Sequence, residues 1–201
     1  MKQTRLTREQ RKEETRECLL AAARTEFIKN GYAATSVEDI AVAAGYTRGA
    51  FYSNFEGKLD MLMELLRRDH DVTQASFLSI LGGSGTGVEL ATRIMEYYTL
   101  LSRDHASFPL WVEARLLAIR DTELREKLGV FTHERLDQAA ACIRVISERT
   151  CVPLRLPAHT LAHGLVSLCD GVRLFQLGDP EALDGVSGAV LAEYLSGVVS
   201  R

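Results

Sequence analysis

Apolar residues recur at steps of three and four along most of the chain, which is the spacing of helices with one buried face. Leu20, Ala23, Phe27 and Ile28 form the first such stripe and predict a helix from about Thr7 to Lys29. Asn30-Gly31 ends it, because glycine accepts the left-handed backbone of a helix stop. Ser36-Val37-Glu38-Asp39 predicts a capping box opening a second helix, with Val37, Ile40, Ala41 and Ala44 inward. Gly45 and Tyr46 form a tight turn, and Thr47 caps a short third helix to Asn54 whose inward residues are Ala50 or Phe51, followed by Phe55. A fourth helix runs from near Gly57 to about Leu81, with Leu59, Leu62, Met63 and Leu66 at helical spacing. Five further stretches follow at about 86–103, 106–119, 122–149, 158–178 and 180–199. Strand-like alternation is nearly absent. The expected fold class is all-α, with a helix-turn-helix domain over 13–73 (motif 36–55) and a helical bundle over 74–201.

Composition adds exclusions. Hydrophobic residues make up 46% and charged residues 25% of 201 positions, enough apolar material for a packed core. No apolar run approaches the ~18 residues that span a bilayer. The opening segment is charged and lacks an apolar stretch, so it does not read as a secretory signal, and a cytoplasmic location is expected. Cys18, Cys142, Cys151 and Cys169 lie far apart and read as buried thiols in a reducing compartment. Net charge is −3, yet residues 1–12 carry Lys2, Arg5, Arg8, Arg11 and Lys12 against Glu9 alone. Such an arm either lies on phosphates or is a solvated tail.

The second and third helices with their glycine turn make a helix-turn-helix. Ala41 is small where the third helix crosses, Gly45 supplies a positive φ, and Phe51 fills the angle between the helices. In the DNA-binding form of this motif the start of the second helix meets base edges in the major groove. Here those residues are Thr47, Arg48, Gly49 and Ala50. Arg48 suits a bidentate contact to guanine, and the small Gly49 and Ala50 allow close backbone approach. Tyr52 suits a phosphate, as do Lys58 with the amides opening the fourth helix and Ser36 with those opening the second.

The wider string from Phe27 to Leu62, F-x3-G-Y-x2-TS-x3-IA-x3-G-x4-AFY-x2-F-x2-K-x2-ML, resembles the N-terminal domain of TetR-family (TetR/AcrR-type) regulators over about residues 13–73. The resemblance implies a homodimer that binds a palindromic operator in double-stranded DNA, represses transcription and releases DNA when a small molecule occupies the C-terminal domain. It matches Ser36 and Thr47 to backbone-contacting caps, Arg48, Gly49 and Ala50 to base-reading positions, and Tyr52 and Lys58 to phosphate contacts. Two departures stand out. Asn54 occupies a place where many members carry histidine, which alters the phosphate contact expected there. Glu56-Gly57 replaces a common Pro-Ser, so the fourth helix lacks a side-chain cap.

A helical bundle offers space for a small-molecule effector between its helices. Large candidates for the lining are Phe77, Met95, Tyr98, Phe108, Trp111, Leu116, Phe131 and Phe175, which favour an apolar or aromatic effector; the same residues also suit plain core packing. Trp111 and Arg115 share a helix face, and nearby Glu113 is either a buried receptor for a cation or part of an exposed network with Arg120. The last two helices carry Leu161, Leu165, Leu168, Val172 and Phe175, then Val190, Leu191, Tyr194, Leu195 and Val198, at steps that suit dimer formation or completion of a monomer core.

No catalytic role, cofactor or metal is expected. His159 and His163 are four apart but lack a third ligand, and the glycines of 82–87 lack the Lys-Ser/Thr of a phosphate-binding loop. Two other classes stay open: a small-molecule-binding helical protein whose helix-turn-helix is idle, and an activator on the same fold.

Overall fold

In a computed structural model the chain is described over residues 7–102 and 107–179, with helical residues at 189, 190, 193, 194 and 197. Eight helices lie in that span: α1 (Arg8–Asn30), α2 (Val37–Ala43), α3 (Arg48–Tyr52), α4 (Lys58–Gly82), α5 (Gly87–Ser102), α6 (Phe108–Ala118), α7 (Thr122–Thr150) and α8 (Ala158–Gly178). The helix expected over 180–199 falls almost wholly outside the described residues. Among those residues, no helix is long and apolar enough to cross a membrane.

The chain folds as two units. The first holds residues 1–69 and 109–114, the second 70–108 and 115–201. α4 and α6 therefore each contribute residues to both.

In the first unit α1 buries Leu19, Leu20, Ala23 and Phe27. Ile28, expected inward, is 41% exposed, because one residue past Phe27 turns the side chain about 100° off the buried stripe. On α4 the buried positions are Met61, Leu62, Leu65 and Leu66, while Met63 is only half-buried. Ile40, Ala41, Phe51 and Phe55 complete this core. Full burial of a side chain such as Phe51 is worth roughly 1.5–3 kcal/mol. Ion pairs join α1 to the first half of α4: Arg68 to Glu17 at 2.6 Å, Arg16 to Glu64 at 3.3 Å, and Arg24 to Asp69 at 2.6 Å, with Arg68 also paired to Glu64 within α4 at 2.9 Å. The Arg68 hydrogen bond holds the Glu17 carboxyl below its usual range. Burial raises Glu64, but Arg68 and Arg16 more than offset it, and its carboxyl also ends low.

The second unit is built on α7 and α8. α7 opens on Asp121, whose carboxylate accepts from the Leu124 amide at 3.0 Å. It ends at Cys151, left-handed at φ 55°. Phe77, Leu90, Ile94, Tyr98, Cys142, Ile146, Leu165 and Cys169 form one buried cluster, and Leu136, Ala139, Ala140, Ile143, Leu161, Ala162 and Val166 a second. Burial raises the thiols of Cys142 and Cys169 to about 12. Cys18 and Cys151 are exposed, contrary to expectation, since neither lies on the inward stripe of its helix.

The dimer stripe expected on α8 is corrected in part. Leu161, Leu165 and Val172 are buried within the chain itself, so they complete its own core. Phe175, the last residue of that stripe, is exposed, as is its neighbour Leu174.

Candidate functional site

The helix-turn-helix is assembled by caps and one glycine. Ser36 Oγ accepts from the Asp39 amide at 3.1 Å, and Asp39 accepts from the Ser36 amide at 2.8 Å. This reciprocal box fixes the start of α2, and the Ser36 hydroxyl, donating to Asp39 at 2.6 Å, together with the Ser36 amide holds the Asp39 carboxyl below its usual range. An anion at this cap would compete with Asp39 for its donors. At the other end Gly45 takes φ 76°, and the Tyr46 amide donates to the Ala41 carbonyl at 2.8 Å, closing the turn. Thr47 Oγ1 accepts from the Ala50 amide at 3.3 Å and sets the start of α3.

With Phe51 fully buried, the opposite side of α3 is turned to solvent. Thr47, Arg48, Gly49 and Tyr52 are exposed and Ala50 is half-buried. The Arg48 guanidinium lies 5.6 Å from the Tyr52 ring centre, so the two side chains form one exposed cationic and aromatic edge. Gly49 has open space around it: a Cβ there would meet only Thr47 Oγ1, at 3.7 Å. The fold itself thus has no need of a glycine at 49.

Two residues behave differently from the rest. Asn54 is half-buried; its Nδ2 donates to the Ala50 carbonyl at 2.8 Å, closing the end of α3, and its Oδ1 is buried without a partner among the described residues. Lys58 spends its ammonium on the segment after α1, donating to the Tyr32 carbonyl at 2.6 Å and to the Thr35 carbonyl at 2.7 Å while lying 4.3 Å from the Tyr32 ring centre. Burial draws its pKa down, against the opposing pull of Glu113. The missing side-chain cap at α4 is answered from inside the helix, where Asp60 accepts from the Glu56 amide at 3.2 Å.

Glu113 is a site residue that sequence reasoning misplaced. Its Oε2 accepts from the Tyr32 amide at 2.6 Å. Gly31, at φ 81°, passes so close that a Cβ would come within 3.1 Å of the same carboxylate. Glu113, Tyr32 and Lys58 thus brace the connection between α1 and α2. Nothing in the local pattern of α6 pointed to Tyr32, which is 81 residues away in sequence.

In the second unit a small cavity of about 20 Å³ lies among α4, α5, α7 and α8. Of the expected lining residues, Phe77 and Tyr98 are on its wall. Met95 packs against the adjoining core, Phe131 stacks beside His70 with ring centres 5.2 Å apart, and Phe108 lies under the Arg173 guanidinium at 4.1 Å. Leu116 is exposed, Phe175 is 74% exposed, and Trp111 belongs to the first unit, so none of these lines the cavity. Arg115 pairs with Asp170 at 2.9 Å. The polar wall went unforeseen: Arg135 and Gln138 also line the cavity. A signal did exist, because Phe131, Arg135, Gln138 and Cys142 follow steps of four, three and four, a helical stripe interrupted by two polar residues.

Among the described residues no group of three His, Cys, Asp or Glu side chains is placed to hold a metal, and His159 and His163 are both exposed.

Residues 19–65 match the family described as "Bacterial regulatory proteins, tetR family". Over 55 residues the chain is 44% identical to the HTH-type transcriptional repressor BepR of Brucella suis biovar 1, covering 27% of this chain and 26% of that one. The match thus spans about a quarter of that relative. The HTH-type transcriptional repressor KstR2 of Rhodococcus jostii is 26% identical over 186 residues, 90% of each chain. Among solved structures, a transcriptional regulator from Saccharomonospora viridis in complex with choline superimposes with a TM-score of 0.78 at 21% identity, covering 94% of this chain and all of that one. At that identity the likeness establishes the all-helical fold.

Proposed function

We propose that the chain, whose residues 19–65 match the TetR family of bacterial regulatory proteins, is a ligand-responsive transcriptional repressor. In this reading it binds a palindromic operator as a homodimer and is released by a small-molecule inducer. The observation that carries the DNA-binding part is the outward face of α3. Arg48, Gly49 and Tyr52 are exposed there on a helix held by Thr47 and anchored from behind by Phe51 and Phe55. Arg48 reads a guanine edge, Gly49 lets the backbone close on the groove, and Tyr52 steadies a phosphate.

Two copies are needed for a palindrome, with their α3 helices about 34 Å apart or a small multiple of that. Leu174 and Phe175 on the outward side of α8 supply an apolar patch for pairing. For release, the inducer favours a dimer whose α3 helices are mis-spaced, and operator DNA then weakens inducer binding by the same factor. Glu113 and Arg115 sit two residues apart on α6, one holding the Tyr32 amide and the other Asp170.

The test is a mobility shift and footprint with the DNA upstream of the chain's own coding region, against random DNA. A protected inverted repeat is expected. Arg48→Ala should cost about 1–3 kcal/mol at one base position. Well-folded protein that binds both DNAs alike, or that stays monomeric by light scattering, refutes the proposal. A reporter under that promoter, with and without the protein, decides between repression and activation.

A further inference from the structure

The first turns of α1 stand clear of the core. Residues 7–14 are all exposed, and burial begins only at Leu19. The segment is helical nonetheless, because Thr7 and Gln10 close a reciprocal cap. Thr7 Oγ1 accepts from the Gln10 amide at 3.2 Å, and Gln10 Oε1 accepts from the Thr7 amide at 2.8 Å. Residues 8–15 carry the helix about 12 Å ahead of its packed part. None of these residues is apolar, so the projection is not held by packing and has no face for a lipid surface.

Its charges are sorted by side. Arg8, Arg11 and Lys12 share one helix face, while Glu9, Glu13 and Glu14 lie on the opposite one with Glu17 beyond them. Glu17 and Arg24 mark the side of α1 turned to α4, since they pair there with Arg68 and Asp69. The acids continue that side. The cations line up instead with Leu19 and Ala23, seven and eleven residues after Lys12, on a face that the first unit buries. α1 also packs against α2 and α3, which places this face toward the helix-turn-helix. Arg16 fixes the position along the helix: its guanidinium lies 4.6 Å from the ring centre of Phe55, just past the end of α3.

The three cations are also unpaired. Arg16 and Arg24 meet carboxylates on α4. Arg8, Arg11 and Lys12 make no ion pair among the described residues, although three acids share their turns.

We infer that this face of α1 is a second DNA contact, on which Arg8, Arg11 and Lys12 hold phosphates of the duplex that α3 reads. The inference rests on the repressor reading given above and adds to it a surface for the sugar-phosphate backbone. Unpaired cations along one line match a line of phosphates. The acids lie on the far side of the helix, where they repel those phosphates least. The amides at the helix start play no part, since the Thr7 and Gln10 side chains already meet them.

The experiment uses the full chain and the footprinted DNA. Arg8→Gln, Arg11→Gln and Lys12→Gln are combined in one variant. All three side chains are exposed and glutamine is a comparable helix former, so circular dichroism and melting temperature should not change. Affinity near 0.1 M salt should fall about tenfold or more, and the slope of log affinity against log salt should flatten by about one unit per lost contact. The preference at each base of the site, measured with singly substituted duplexes, should stay as in the parent, because phosphate contacts carry no sequence information. A second variant, Arg8→Lys with Arg11→Lys, keeps the charges and should keep the parent's slope. A glutamine variant with the parent's affinity and slope assigns the face to solvent, overturning the inference and leaving the repressor reading intact. Loss of base preference along with affinity overturns it too, as does a lysine variant no better than the glutamine one. A parent chain that binds no DNA specifically removes the repressor reading, and this inference falls with it.

Discussion

Replacing Gly49 by alanine should move stability and DNA affinity in opposite directions. Gly49 is the second residue of α3, and its φ is not positive. A Cβ there meets only Thr47 Oγ1, at 3.7 Å, an ordinary van der Waals contact. The folded chain therefore accepts the methyl group without strain. Alanine in a helix is favoured over glycine by about 0.5–1 kcal/mol, chiefly because the unfolded chain loses freedom. For a chain of this length that raises the melting temperature by about 1–4 °C. On DNA the same methyl group points from the exposed face of α3 toward the groove. If the backbone at 49 lies against base edges, the helix must draw back and lose contacts worth about 1–3 kcal/mol, a tenfold or greater drop in specific affinity. Thermal unfolding measures the first effect, and fluorescence anisotropy with the footprinted DNA measures the second. Gly129→Ala on α7, where a Cβ would meet nothing within 4 Å, is the control. It should stabilise and leave DNA binding alone. A Gly49→Ala protein that binds its DNA as tightly as the parent, or that melts lower, refutes the reasoning.

Lys58→Met should lower stability and weaken DNA binding while leaving the salt slope nearly unchanged, because the ammonium is committed to the Tyr32 and Thr35 carbonyls. A slope reduced by about one unit would instead assign Lys58 to a phosphate. Glu113→Ala removes the acceptor of the Tyr32 amide and should cost about 1.5–3 kcal/mol, with faster hydrogen exchange at that amide; unchanged exchange would contradict the bracing role. Glu17 and Glu64 have carboxyls held below the ordinary value of 4.5, so their contribution is present above that value and is lost as pH falls through the lower folded values. Acid titration should loosen α1 from α4 below about pH 4, and Arg68→Met should remove much of this acid sensitivity. At pH 8 a thiol reagent should label Cys18 and Cys151 quickly and spare Cys142 and Cys169, whose pKa is raised to about 12 by burial; four equal rates would refute the packing of α7 on α8.

Much of the helix-turn-helix was legible because its signals are local. A cap, a glycine turn and a step of three or four act within one or two helical turns, so Ser36, Gly45, Thr47 and Phe51 declare their roles to a reader of the sequence. The same locality explains the errors. Ile28 and Phe27 are neighbours in sequence with opposite exposures, and a stripe drawn one residue too wide misplaces the first. Leu161, Leu165 and Val172 have the spacing of a buried face, but spacing does not say whether the covering partner is α7 or a second chain.

Sequence alone determined the all-helical architecture, the stops and starts of its helices and the exposed outer face of α3, since each follows from backbone preferences and periodic burial. Tertiary structure decided which distant groups share the remaining polar valences. It turned Glu113 to the Tyr32 amide, drew Lys58 onto carbonyls and set Arg115 and Arg135 on one Asp170. Those pairings span from 23 to 81 residues of chain. They form because a buried charge or amide must find a partner wherever folding brings one, and no local pattern records that partner's position.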